Sequence, residues 1–201
     1  MLGRPCGAVM LVALLQGTAH AGTVYQSAIV ASPQMQVRDG QTDGCGFQLK
    51  SLPTSLAGEK SAVVLDVSLN LYSSYLALMK GGAVELGVSG GKPMARKALP
   101  ITAFWLKASG GRATVPRENK VIPGEDPGYL LYGADFALVA ELFYAVIEGK
   151  QLSLGVKVKG ESVERIYVGV PQIEDAEKNQ SHQCMTELPE RMKALIKEEP
   201  R

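Results

Sequence analysis

The sequence predicts one strand-rich α+β domain, and three observations carry that expectation. Short runs rich in β-branched and aromatic residues recur between Gly- and Pro-containing breaks. Two apolar stripes at spacings of three and four residues interrupt them, one at Leu69, Tyr72, Tyr75, Leu76 and Met79, the other at Leu138, Leu142, Ala145 and Val146. Each stripe is followed by a glycine and a further strand-like run. Together these units predict two strand–helix–strand–strand halves, about 59–105 and 127–173, around one core, with a C-terminal helix added.

Residues 1–21 have the organisation of an export leader. Arg4 supplies the positive start, residues 8–15 the apolar core, and Ala19-His20-Ala21 the small-x-small pattern of a signal peptidase site. The apolar core is too short to cross a bilayer, and no later apolar run reaches the roughly 18 residues a span needs. Residues 22–201 are thus expected as a single exported domain, periplasmic or secreted, without a membrane span. Cleavage near Ala21 removes Arg4, Cys6 and His20 and leaves twenty basic and twenty acidic side chains. That balance gives no electrostatic footprint for nucleic acid or an anionic membrane.

Cys45 and Cys184 then remain. In an oxidising compartment the simplest expectation is one disulfide between them, with a pair of free thiols as the competing reading. A closed loop of about 140 residues is worth up to about 5 kcal/mol in the chain-entropy account.

The elements follow in order. Residues 23–31 and 45–50 are expected strands, and the Gln-, Asp- and Gly-rich stretch 32–44 between them is expected as a loop. Residues 61–67 form a third strand. The first stripe predicts a helix with Ser68 or Asn70 at its start and Gly81 at its stop. Residues 83–88 are a strand, Gly90-Gly91-Lys92-Pro93 a turn, and 95–102 another strand. In the second half, 129–132 is a strand and Asp135 caps a helix over 136–148 that ends at Gly149. Strands over 151–158 and 163–170 meet at a turn at Gly160. The C-terminal helix presents Leu188, Met192, Leu195 and Ile196, with Pro189 in its first turn, and is expected to dock beside Cys184.

Residues 75–88 lie over 143–156 without a gap, at an offset of 68. Ala77/Ala145, Gly81/Gly149, Leu86/Leu154, Gly87/Gly155 and Val88/Val156 are identical. A duplication explains the match, and so does the shared composition of an Ala-, Gly-, Leu- and Val-rich chain. An export leader, helix–Gly–strand units and a late cysteine together resemble invasion-associated locus B-type periplasmic proteins. No diagnostic motif accompanies that resemblance, so no site residue or activity is carried over from it.

Catalytic chemistry finds little footing. His182 is the single imidazole after cleavage and lies two residues from Cys184. No serine sits in a nucleophile elbow, and residues 87–91 lack phosphate-loop spacing. The carboxylate pairs Glu125/Asp126 and Glu174/Asp175 fall in flanking turns. No catalytic, metal or cofactor residue is assigned, and no cofactor is expected.

The long segment 107–128, dense in Gly, Pro and charge, is the remaining candidate. Trp105 at its entrance and Arg117, Asn119 and Lys120 within it are the candidate partner-binding residues. Trp105 also fits a core anchor, and the segment also fits a solvated connector. The expected function is an exported binding module for a protein partner, such as an inhibitor, immunity or assembly factor. The alternatives are an envelope-polymer hydrolase using Asp/Glu chemistry and a carrier of a small apolar ligand.

Overall fold

The computed structural model describes residues 22–54, 60–89, 92–117 and 120–198. The leader, Gly90-Gly91 and Asn119 lie outside the described residues. β1 (Gly22–Arg38) and β2 (Gln41–Pro53) form a long antiparallel hairpin, with Met35 opposite Cys45. The loop expected over 32–44 is therefore strand on both sides of a two-residue turn. Asp39 and Gly40 take φ values of 53° and 74°. This is the turn whose twist matches paired strands, and Asp-Gly is a favoured pair for it.

β3 (Ser61–Tyr72) and β4 (Ala77–Ser89) make a second hairpin, with Leu69 opposite Met79. This corrects the helix expected from the stripe through Leu69, Tyr72, Tyr75, Leu76 and Met79. Val63, Leu65, Val67, Leu69 and Leu71 are buried at every second position. That period of two aims one face at the core and overrides the spacing of three and four. Tyr75, at φ 61°, carries the chain round the turn. Gly81 is not a helix stop. It lies within β4 beneath the Phe104 ring, where a Cβ would collide with ring carbons.

Pro100 divides the strand expected over 95–102 into β5 (Lys92–Leu99) and β6 (Ile101–Ala108). Proline offers no N–H to a ladder, which suits a break. β5 stays on β4, while β6 pairs with β9 (Leu152–Val158). β7 (Ile122–Pro123) pairs with β8 (Tyr129–Gly133), which joins β4. β10 (Glu164–Gly169) and β11 (Pro171–Gln172) run parallel to β1.

The result is a mixed sheet with the order β6-β9-β10-β1-β2-β3-β4-β8-β7, plus β5 on β4 and β11 on β1. It curls on itself, bringing Phe104 of β6 to 4.7 Å from Tyr132 of β8 between ring centroids. With two helices, the architecture is α+β and strand-rich. The aligned segments adopt different structures, since 77–88 is strand whereas 143–147 ends a helix before β9. The structure therefore does not show two halves with a common element order.

α1 (Phe136–Ile147) fills the interior of the curl. Asp135 Oδ1 accepts the Leu138 N–H at 2.9 Å, as its capping role requires, and Gly149 takes φ 66° just beyond the helix. Leu138, Val139, Leu142, Phe143 and Val146 are buried, and Phe143 meets Phe47 of β2 at 4.6 Å. α2 (Asp175–Glu198) begins well before the stripe that suggested it, so Pro189 lies inside the helix rather than in its first turn. Its buried face is Ser181, Cys184, Leu188 and Met192, spaced three, four and four; Ile196 is exposed. Cys184 is bonded to Cys45 of β2. Among the described residues no helix is long and apolar enough to cross a membrane.

Two outcomes check this packing. Gly81→Ala forces the Phe104 ring out of its seat, and chemical denaturation should show a loss of about 1–3 kcal/mol. Thiol labelling of the native protein should find Cys45 and Cys184 unreactive until a reductant is added.

Candidate functional site

The segment 107–128 is anchored at Thr114 and again at Ile122–Pro123, and the described residues Val115, Arg117, Lys120 and Val121 are exposed between those anchors. Thr114 is buried, and its N–H donates to the Leu106 carbonyl while its Oγ1 accepts the Leu106 N–H. Thr114 Oγ1 also lies 2.8 Å from the Tyr132 hydroxyl. At the far end Ile122 and Pro123 pair with Leu131 and Leu130. Between the anchors Val115 and Val121 are exposed, Val115 to 65%. A proline in a two-residue edge strand also blunts the sheet edge against indiscriminate pairing.

This arrangement builds a shallow cleft of about 320 Å³ whose lining includes Leu78, Arg117, Lys120, Ile122, Leu131 and Tyr132. Leu78 stands on β4 and Leu131 on β8, two residues out of register with each other and so on the same face. Arg117 and Lys120 are exposed, and neither forms an ion pair among the described residues. The chemistry available is an apolar floor with two exposed cations on its rim.

Trp105 does not join this cleft. It lies half-buried on β6 over Gly155 of β9, its Nε1 donating to Glu164 Oε2 at 3.3 Å. Here the indole covers a glycine gap between strands. Phe104 and Leu106, its neighbours of opposite facing, enter the core.

A second, polar set was not legible as a unit in the sequence. Gln34, Gln48, Asp66, Lys80, Asp126 and Tyr129 line a cleft of about 280 Å³ on the outer sheet face. Only the register of β1, β2, β3, β4 and β8 gathers them. Two carboxylates share this cleft, as the hydrolase alternative requires. Both are already engaged: Asp66 accepts Gln48 Nε2 at 2.9 and 3.1 Å and the Tyr129 hydroxyl at 3.1 Å. Asp126 is ion-paired to Lys80 at 2.6 Å, and Lys80 Nζ lies 5.0 Å from the Tyr129 ring centroid. Each carboxylate thus has partners within the fold, Asp66 by hydrogen bonds and Asp126 by an exposed ion pair.

The other sequence candidates are dispersed. Glu174 and Asp175 precede and open α2, where Asp175 pairs with Lys178 at 3.0 Å. His182 is exposed on α2, and its carbonyl accepts the Thr186 hydroxyl. No protein-family model, curated protein or solved structure matches this chain.

Burial pushes the Tyr132 phenol up to about 12; burial, then the Asp66 carboxylate, does the same for Tyr129. Ionised tyrosine is therefore disfavoured in the folded state. The stabilisation from these neutral phenols is complete below the unfolded value of about 10 and is lost as pH rises toward 12. Denaturant midpoints measured from pH 9 to 12 should fall across that window, and Tyr132→Phe should make the fall shallower.

Proposed function

We propose that this chain is an exported, non-catalytic binding module that recognises a protein partner through the Arg117–Lys120 cleft. The observation that supports it most is the juxtaposition of exposed apolar side chains and exposed cations on one anchored segment. Val115, Val121 and Ile122 are exposed beside Arg117 and Lys120, with Leu78 and Leu131 as the floor. Apolar contact supplies affinity, while the rim charges select the partner and speed encounter. The complementary partner surface carries apolar side chains among carboxylates. The leader-like residues 1–21 and the Cys45–Cys184 bridge support action outside the cytoplasm.

Affinity capture from the native cell envelope tests this with two baits, residues 22–201 and the same chain carrying Arg117→Glu and Lys120→Glu. The expected result is one stoichiometric partner held by the first bait and bound about tenfold more weakly or not at all by the second. Higher salt should weaken the first complex as well. An identical set of proteins on both baits, or no stoichiometric partner in repeated captures, overturns the proposal.

A further inference from the structure

A separate cleft of about 360 Å³ lies on the other side of Leu78, and its lining includes Arg38, Asp43, Ser73, Leu76, Arg191 and Leu195. Arg38 comes from the end of β1, Asp43 from β2, Ser73 and Leu76 from the β3–β4 turn, and Arg191 and Leu195 from α2. The bridge between Cys45 and Cys184 ties α2 to β2, the strand that carries Asp43.

The charges do not cancel. Asp43 is the one carboxylate among the lining residues. Its Oδ1 accepts the Ser73 hydroxyl, and its Oδ2 is 3.5 Å from Arg38 Nε. The Arg191 side chain, which also borders the adjoining cleft lined by Glu187 and Glu190, makes no hydrogen bond or ion pair among the described residues, and its Nε is closed off from water. Its acidic neighbours on α2 are engaged elsewhere: Glu187 accepts from Thr42 and Gln183, and Glu190 pairs with Lys193 at 2.7 Å. Two guanidinium groups thus face one carboxylate, leaving one positive charge in surplus. A desolvated, unpaired N–H costs stability, and a carboxylate held by the same guanidinium would offset that cost.

We infer that this cleft binds a monocarboxylate carried on an apolar stem. The carboxylate lies between Arg38 and Arg191, and the stem runs along Leu76, Leu78 and Leu195. Guanidinium groups match the planar geometry of a carboxylate. A surplus of one charge suits a monoanion better than a phosphate dianion, and the leucine wall suits an aliphatic chain. The volume falls in the range of small-molecule sites. Two sources offer this chemistry: a free aliphatic acid, and the C-terminal carboxylate of a peptide that ends in an apolar residue. The inference is independent of the Arg117–Lys120 proposal, which uses other cations.

Calorimetric titration of residues 22–201 tests it with octanoate, 1-octanol, inorganic phosphate, and a peptide ending in leucine as either the free acid or the amide. Octanoate should bind saturably at one site per chain, while 1-octanol and phosphate should not. Arg191→Gln and Arg38→Gln should each weaken binding by about tenfold or more. Octanoate should raise the Tm of the unsubstituted chain and leave that of Arg191→Gln unchanged. Arg38 is 71% exposed at its side chain, so its variant keeps the test decisive if Arg191→Gln fails to fold. Binding of the free-acid peptide without octanoate binding supports the inference and assigns a protein terminus as the source. Arg117→Glu with Lys120→Glu should leave octanoate affinity unaltered, which separates this test from the preceding one. The inference is overturned if neither carboxylate binds at millimolar concentration. Equal binding of phosphate, 1-octanol or the amidated peptide overturns it too, as does affinity indifferent to both arginine substitutions.

Discussion

The bond between Cys45 and Cys184 decides what α2 can contribute. The buried stripe of this helix is narrow, made of Ser181, Cys184, Leu188 and Met192, and most of the remaining surface is polar or charged. A stripe of that width gives limited apolar burial for a helix that also gives up one internal hydrogen bond at Pro189. The covalent tie near the middle of α2 keeps it against β2 and adds the entropic benefit of closing a 139-residue separation. The Thr42–Glu187 hydrogen bond reinforces the same contact. Arg191 and Leu195 reach the sheet because the helix is held there.

The remainder of the molecule has a more self-sufficient core. The sheet curls until β6 meets β8, and α1 inserts Leu142 and Phe143 into the interior. Close approach is possible because Gly81 and Gly155 leave room for Phe104 and Trp105 on opposite faces of the curled sheet. The outer face is thereby left to carry polar networks and shallow clefts. Leu78 borders two of those clefts, one rimmed by Arg117 and Lys120 and the other by Arg38 and Arg191. Both combine aliphatic walls with positive charge, although the whole chain is close to neutral.

Sequence patterns revealed the local stops and starts more readily than the long strands. Asp135, Gly149 and Gly160 mark their helix and turn because capping geometry and positive φ are properties of a few adjacent residues. The disulfide followed from the leader-like first 21 residues and the cysteine count. The stretch around Leu69 deceived because residues spaced 3, 3, 1 and 3 apart satisfy a helical stripe, while the alternation Val63, Leu65, Val67, Leu69, Leu71 satisfies a strand equally well. Tertiary pairing with β2 decides between them. In residues 32–44 polarity suggested a loop, yet Asp39-Gly40 is itself a hairpin signal. The candidate residues Arg117 and Lys120 do share a cleft, but Trp105 lies elsewhere because its strand faces it toward Gly155 and Glu164. Arg38 and Arg191 are more than 150 residues apart in the chain, and no local pattern joins them.

Amide hydrogen exchange on residues 22–201 and on a chain carrying Cys45→Ser and Cys184→Ser measures how far α2 depends on its bridge. In the double variant, the amides of residues 181–196 should exchange about thirtyfold faster or more, while those of α1 speed up only by the shared loss of global stability. Unchanged protection along α2 in the unbridged chain would show that apolar packing alone seats the helix, and would contradict the account given for Arg191 and Leu195.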